Sequence, residues 1–134
     1  MKAQVLKPDL LYPELSYELI GCAYDVFNEL GFGHYEKYYQ KAYAAALNSK
    51  KIKYKEQIYF ALKFRDKLLG KQFFDFLVEE KIVVELKKDN RFSKQHIDQV
   101  LEYLKTANIK LAILINFSRT GVLYKRIINI NENP

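Results

Sequence analysis

Between Pro13 and Leu30 the apolar residues Leu15, Leu19, Ala23, Val26, Phe27 and Leu30 recur at helical spacing, with Glu14, Glu18, Asp25 and Glu29 on the opposite stripe. Pro13 suits the first turn of such a helix, and Gly31 suits its end. The spacing predicts a second helix over about His34 to Asn48, where Ala and Tyr dominate. From Ile52 the residue types become those of strands. Ile58–Phe64 reads as a strand, Asp66–Gly70 as a hairpin loop and Phe73–Val78 as a second strand. Lys81–Lys87 reads as a third, with Glu79-Glu80 as the tight turn before it. Ser93 is placed to cap a helix running to about Thr106, in which Ile97, Val100, Leu101 and Leu104 share a face. Lys110–Asn116 and Gly121–Ile130 supply a fourth and a fifth strand. The order ααβββαββ predicts a mixed sheet with helices packed on it, α/β or α+β, in one domain over residues 1–134. A crossover through the helix at 93–106 is right-handed if its flanking strands are parallel. The first ten residues and the last four read as loose ends.

Two of these strands carry charge where a buried strand is apolar. Asp75 interrupts Phe73-Phe74-Asp75-Phe76-Leu77, and Glu85 and Lys87 interrupt Val83-Val84-Glu85-Leu86-Lys87. A strand period of two puts Glu85 and Lys87 on one face. A tight turn at Glu79-Glu80 sets Asp75 opposite Glu85 across the hairpin. Two carboxylates and an ammonium then meet between apolar walls. Two hard oxygen ligands and a backbone carbonyl can hold Mg²⁺ or Mn²⁺ and leave positions open for water and substrate. Such an ion lowers the pKa of a water and offsets charge on a phosphoryl oxygen, and a lysine beside it can orient that water. The same residues can equally form solvated strand ends or a structural ion-pair network, and spacing alone leaves both readings open. Two helix stripes add polar groups: Glu36, Tyr39, Gln40 and Tyr43 in the second helix, and His96, Gln99 and Tyr103 in the third.

Composition narrows the classes. With 49% apolar and 28% charged residues, the chain is not a mainly disordered one. Its single cysteine, Cys22, and two histidines exclude an internal disulfide and a Cys- or His-built zinc site. Neither a signal-peptide core nor an apolar run of about 20 residues is present, so the expectation is a cytoplasmic protein with no membrane partner. The net charge of +6 is unevenly spread: residues 1–36 balance to −4 and the remainder to +10. A basic body suits a polyanion such as nucleic acid, and it equally suits plain solubility.

The motif Gly33-x-x-Glu36-x-x-Tyr39 resembles the signature of the GxxExxY family, a group within the PD-(D/E)XK nuclease superfamily. The similarity extends over about residues 13–130. It includes Ile20-Gly21-Cys22-Ala23, Asn28-Glu29-Leu30-Gly31, Phe74-Asp75-Phe76-Leu77-Val78 and Val84-Glu85-Leu86-Lys87. His96-x-x-Gln99-x-x-x-Tyr103-Leu104 and Leu114-Ile115-Asn116-Phe117 follow in the same order. The resemblance implies a restriction-endonuclease-like core, a mixed sheet between helices with a divalent metal on its second and third strands. It implies Asp75 and Glu85 as metal carboxylates, Glu36 as a further metal or water contact, and Lys87 as the lysine of the (D/E)XK element. Gln99 and Tyr103 match a Q-x-x-x-Y element of the active site, and His96 a phosphate contact. Phe73 departs from the pattern, which often has Arg at that position. The resemblance also makes Lys50, Lys51, Lys53, Lys55, Lys88 and Arg91 candidates for backbone-phosphate contacts. The expected activity is Mg²⁺- or Mn²⁺-dependent hydrolysis of phosphodiester bonds by a metal-activated water, in DNA rather than RNA. The alternative is a catalytically silent module that binds nucleic acid or a partner protein. At this size, a homodimer or a partner protein is expected to supply specificity.

Overall fold

The computed structural model describes residues 11–130, so the readings of the first ten and last four residues lie outside it. Three helices and five strands follow in the predicted order: α1 (Pro13–Leu30), α2 (Glu36–Ser49), β1 (Tyr54–Phe64), β2 (Lys67–Val78), β3 (Ile82–Lys87), α3 (Lys94–Ala107), β4 (Leu111–Ser118) and β5 (Gly121–Ile128). The strands form one mixed sheet in the order β1-β2-β3-β4-β5. Only β3 and β4 run parallel, and α3 makes the crossover between them. The class is α+β, a mixed sheet with helices on both faces, as the sequence predicts. No helix among the described residues is long and apolar enough to cross a membrane.

The termini of the helices follow from local sequence. Pro13 opens α1, and Gly31 closes it with a backbone φ of 71°, a conformation that costs glycine little. The Ser93 side chain accepts a hydrogen bond from the His96 N–H at 3.2 Å and caps α3.

The two faces of the sheet divide the core. Leu111, Ile113, Ile115 and Phe117 of β4 pack with Ile82, Val84 and Leu86 of β3 against α1 and α2. Ala112 and Leu114 of β4 and Val83 of β3 pack on the other face, with Val100, Tyr103 and Leu104 of α3. β3 and β4 alternate as strands do, and because helices cover both sides they are apolar on both.

The β1–β2 hairpin departs from this alternation. Tyr54 and Phe76 pack with α1 and α2, whereas Ile58 and Phe74 pack with α3. The ladder pairs Glu56 with Phe76 and Ile58 with Phe74, so both strands exchange faces between these two rungs, at Gln57 and Asp75. Gln57 carries the local twist with a left-handed φ of 53°. Asp75 therefore sits where β2 turns its side chains over. Two apolar neighbours, Phe74 and Phe76, are buried on opposite faces of it.

Two boundaries differ from the sequence reading by more than two residues. The loop expected at Asp66–Gly70 is a two-residue turn at Arg65-Asp66, with φ of 49° and 67°. Consecutive left-handed residues match the twist of a tight hairpin, so Leu68, Leu69 and Gly70 remain in strand. β1 begins at Tyr54, ahead of the expected Ile58, because an edge strand tolerates the exposed charges of Lys55 and Glu56. The turn at Glu79-Glu80 is as expected, with φ of 52° and 59°.

Phe76 is fully buried, and its ring meets those of Tyr43 at 5.3 Å and Tyr54 at 5.7 Å. Phe76→Ala is expected to lower unfolding free energy by about 3–5 kcal/mol in urea titrations, the cost of a large core cavity. A loss below about 1 kcal/mol would contradict this packing.

Candidate functional site

β2 pairs with β3 only at Phe76, Leu77 and Val78. Extending the register by one rung sets Asp75 opposite Glu85, as the sequence implied, but no backbone ladder forms there. Side chains replace it. The Asp75 N–H donates to Glu85 Oε1 at 2.6 Å, and the Leu86 N–H donates to Asp75 Oδ2 at 2.8 Å. Each carboxylate thus satisfies a buried backbone donor of the facing strand, which would otherwise be orphaned. Both are enclosed: Asp75 is 8% exposed and Glu85 is 5% exposed.

The remaining carboxylate oxygens are held by the two helix layers. Gln40 of α2 donates to Asp75 Oδ1 at 2.8 Å. His96 of α3 lies 2.9 Å from Glu85 Oε2 through Nε2. Gln40 was not among the residues the sequence singled out for the site. The available signal was its place one turn after Glu36 on the same helix stripe.

The GxxExxY segment has a physical logic in this frame. Gly33 takes a φ of 107°, accessible to glycine, in the loop between α1 and α2. Glu36 opens α2 and accepts the Lys88 N–H at 3.1 Å, which ties the start of α2 to the end of β3. Its charge also complements the positive end of the helix. Tyr39 is buried, stacks on Phe117 at 4.3 Å and donates its hydroxyl to the Gly31 carbonyl at 2.5 Å. Tyr39 therefore anchors the loop that presents Glu36.

Beside the carboxylates lies an open cleft of about 450 Å³ lined by Glu36, Lys87, Asp89, Arg91, Phe92, Ser93, Gln95, His96, Gln99 and Asn116. No hydrogen bond or ion pair ties the Lys87 ammonium to another described residue. The N-terminal turns of α2 and α3 both border the cleft, the first already complemented by the Glu36 carboxylate. Lys88 reaches the Gly33 carbonyl at 3.4 Å and the Tyr35 ring at 5.7 Å, close to the same rim.

A family model of the PD-(D/E)XK nuclease superfamily matches residues 13–127. The chain belongs to the PD-(D/E)XK nuclease superfamily. The fold agrees with that of the crystal structure of SSO0001, with a TM-score of 0.52 and 18% sequence identity over 93% of this chain. The present chain spans 63% of that protein's length, and at this identity the likeness is one of fold. No curated protein matches the sequence.

PD-(D/E)XK nucleases generally use divalent metal ions. Among the described residues no three His, Cys, Asp or Glu side chains form a ready cage for one. The donor chemistry nevertheless fits a hard cation. Asp75 and Glu85 offer four carboxylate oxygens, each engaged by one hydrogen bond and retaining a lone pair. Mg²⁺ is commonly held by one or two carboxylates together with waters and substrate phosphate.

Several sequence-predicted residues lie elsewhere. Tyr103 is not brought into the cleft: it is packed among Phe60 and Phe74 at ring distances of 5.4 and 4.7 Å, a core aromatic of the α3 layer. Burial, followed by the Glu80 charge, raises its pKa. Gln99, one turn earlier, does line the cleft. Lys51, Lys53 and Lys55 are at the opposite end of the hairpin. The Lys53 N–H binds Glu79 at 3.1 Å, and Lys55 pairs with Glu80 at 2.9 Å. That end is roughly 17 Å from Glu85 along β3 at the usual rise of a strand. Lys50 pairs with Glu18 on α1 at 3.2 Å. Arg91 and His96 line the cleft and Lys88 borders it.

Burial, reinforced by the adjacent Glu85 charge, pushes the Asp75 carboxyl up from 3.8 to about 7, against the opposing pull of the Leu86 N–H and Lys87. The folded chain therefore holds this proton more tightly than the unfolded chain. The resulting stabilisation is complete below about pH 4 and is lost as pH rises through about 7. In thermal melts without divalent cation, the melting temperature of the parent relative to Asp75→Asn should fall steadily from pH 4 to pH 8. A difference independent of pH would contradict the raised carboxyl.

Proposed function

We propose that this chain is a metal-dependent nuclease domain of the GxxExxY type, hydrolysing phosphodiester bonds of nucleic acid, with DNA as the favoured substrate and Mg²⁺ or Mn²⁺ as the cation. The observation that carries this reading is the juxtaposition of two buried carboxylates on β2 and β3 with the Lys87 ammonium, unpaired among the described residues, beside a cleft with basic groups on its rim. Asp75 and Glu85 are the metal carboxylates, and Glu36 stands nearby at the start of α2. When bound, the cation supplies positive charge at the scissile phosphate and lowers the pKa of a water.

The protein's own contribution is positioning. Gln40 and His96 fix the two carboxylates in orientation from opposite helix layers, so that no reorganisation is needed when substrate arrives. Lys87 is placed to donate a hydrogen bond to the attacking water or to a phosphoryl oxygen, where negative charge accumulates. Gln99 faces the same cleft from α3. Arg91 and Lys88 on the rim suit non-bridging phosphate oxygens. We infer one such domain over about residues 13–130, acting in the cytoplasm, with a homodimer or partner protein as a source of specificity.

One observation favours the second reading, a module that holds nucleic acid without turnover. All four carboxylate oxygens already have partners within the protein. The two readings part in a cleavage assay on single-stranded, duplex and branched DNA and on RNA, with Mg²⁺ or Mn²⁺. The nuclease reading predicts cleavage that falls by at least about 100-fold in Asp75→Asn and Lys87→Ala, the scale expected for loss of an electrostatic catalytic group. Cleavage that survives both substitutions, or its complete absence from folded parent protein across the panel, would contradict it.

A further inference from the structure

β2 outruns its neighbour. It pairs with β3 only from Phe76 to Val78, so among the described residues Lys67 to Phe74 have β1 as their sole sheet partner. The result is a two-stranded arm that extends from the candidate cleft, with Phe73 only two residues from Asp75. Its surface is unusual in two ways. Tyr59, Phe64, Leu69 and Phe73 are 50%, 57%, 57% and 56% exposed. Tyr59 and Phe73 are cross-strand partners with ring centroids 5.4 Å apart. Lys63 and Lys71 share the face of Tyr59 and Phe73 by strand alternation, and Arg65 and Lys67 stand at the tip beside Phe64; all four are exposed. None of these four cations lies within ion-pair distance of a carboxylate among the described residues, and Asp66 is the single acid in the arm. Core packing does not account for such a surface, because the opposite side of the arm, with Phe60 and Phe74, already packs against α3.

Arg65 lies over the Phe64 ring, 4.9 Å from its centroid. Exposed aromatic faces among cations without carboxylate partners are the chemistry of single-strand binding: bases stack on rings while lysine and arginine follow the phosphates. We propose that the β1–β2 arm is a platform for an unpaired nucleic-acid strand, with Tyr59 and Phe73 stacking bases and Lys63, Arg65, Lys67 and Lys71 contacting phosphates. The arm leads such a strand to the carboxylate cleft. This rests on the reading of the cleft as a nucleic-acid site and adds to it the substrate class, single-stranded or locally unpaired. The positive charge of the arm favours this occupant over a second copy of the chain, whose identical arm would bring like charges together.

The test is fluorescence anisotropy with a labelled oligothymidylate and with a hairpin duplex, in EDTA so that no turnover occurs. Tyr59→Ala and Phe73→Ala should each weaken oligothymidylate binding roughly ten-fold and leave duplex binding within about two-fold. Tyr59→Phe should bind as the parent does, which separates stacking from a folding defect. The combined change Lys63→Ala, Lys67→Ala and Lys71→Ala should reduce the slope of log affinity against log salt by about 2. Unchanged oligothymidylate affinity in the aromatic variants, or equal loss on both probes, would overturn the proposal. So would a parent that does not bind oligothymidylate. A change of sedimentation state with unaltered binding would also overturn it, assigning the arm to self-association. A parent that binds through the arm and cleaves nothing would defeat the nuclease reading alone. A parent that cleaves, with aromatic variants that bind normally, would defeat the arm alone.

Discussion

The site depends on a short stretch where two strands stop pairing. Beyond Phe76 and Val84 the β2–β3 ladder gives way, and the Asp75 and Leu86 N–H groups bind carboxylates in place of backbone carbonyls. Buried N–H groups require partners, so the opening would be costly without these acids. The acids in turn would be costly in the interior without those donors. Each requirement meets the other. The exchange of faces at Gln57 and Asp75 belongs to the same arrangement, because it lets Asp75 meet α2 while Glu85 meets α3.

Around that opening the fold supplies rigid positioning. The core of β3 and β4, apolar on both faces, holds the carboxylates on a sheet fixed by helices from each side. Tyr39 and Gly31 lock the loop before α2, and Glu36 joins α2 to the end of β3. The Ser93 cap starts α3 so that His96 and Gln99 project toward the cleft from its first turns. Membership of the PD-(D/E)XK superfamily gives this arrangement its functional context.

Much of this was legible in the sequence for identifiable reasons. Period and caps specified the helices, and two acids in adjacent β-type runs, separated by a tight Glu79-Glu80 turn, fixed the Asp75–Glu85 register by counting. The arm was less legible because its turn, Arg65-Asp66, lacks the glycine that usually marks two left-handed residues. Gly70 drew the loop boundary four residues too far, although it lies within β2. Tyr103 lies outside the cleft for a different reason. Helical spacing puts it beside Gln99 in sequence terms, but the hairpin's exchange of faces turns Phe74 toward α3 and fills that position with an aromatic cluster. Gln40 stands on the predicted stripe with Glu36, but its role was hidden because it depends on a tertiary contact 35 residues away.

The most direct test of the central claim, that the open rung between β2 and β3 is a cation site, is calorimetric titration of Mn²⁺ into the protein alone. One binding event is expected near pH 8, weakening as pH falls below about 7 while Asp75 takes up its proton, and lost in Asp75→Asn. Absence of binding at pH 8, or binding indifferent both to pH and to Asp75, would mean that the carboxylates only bridge the strands.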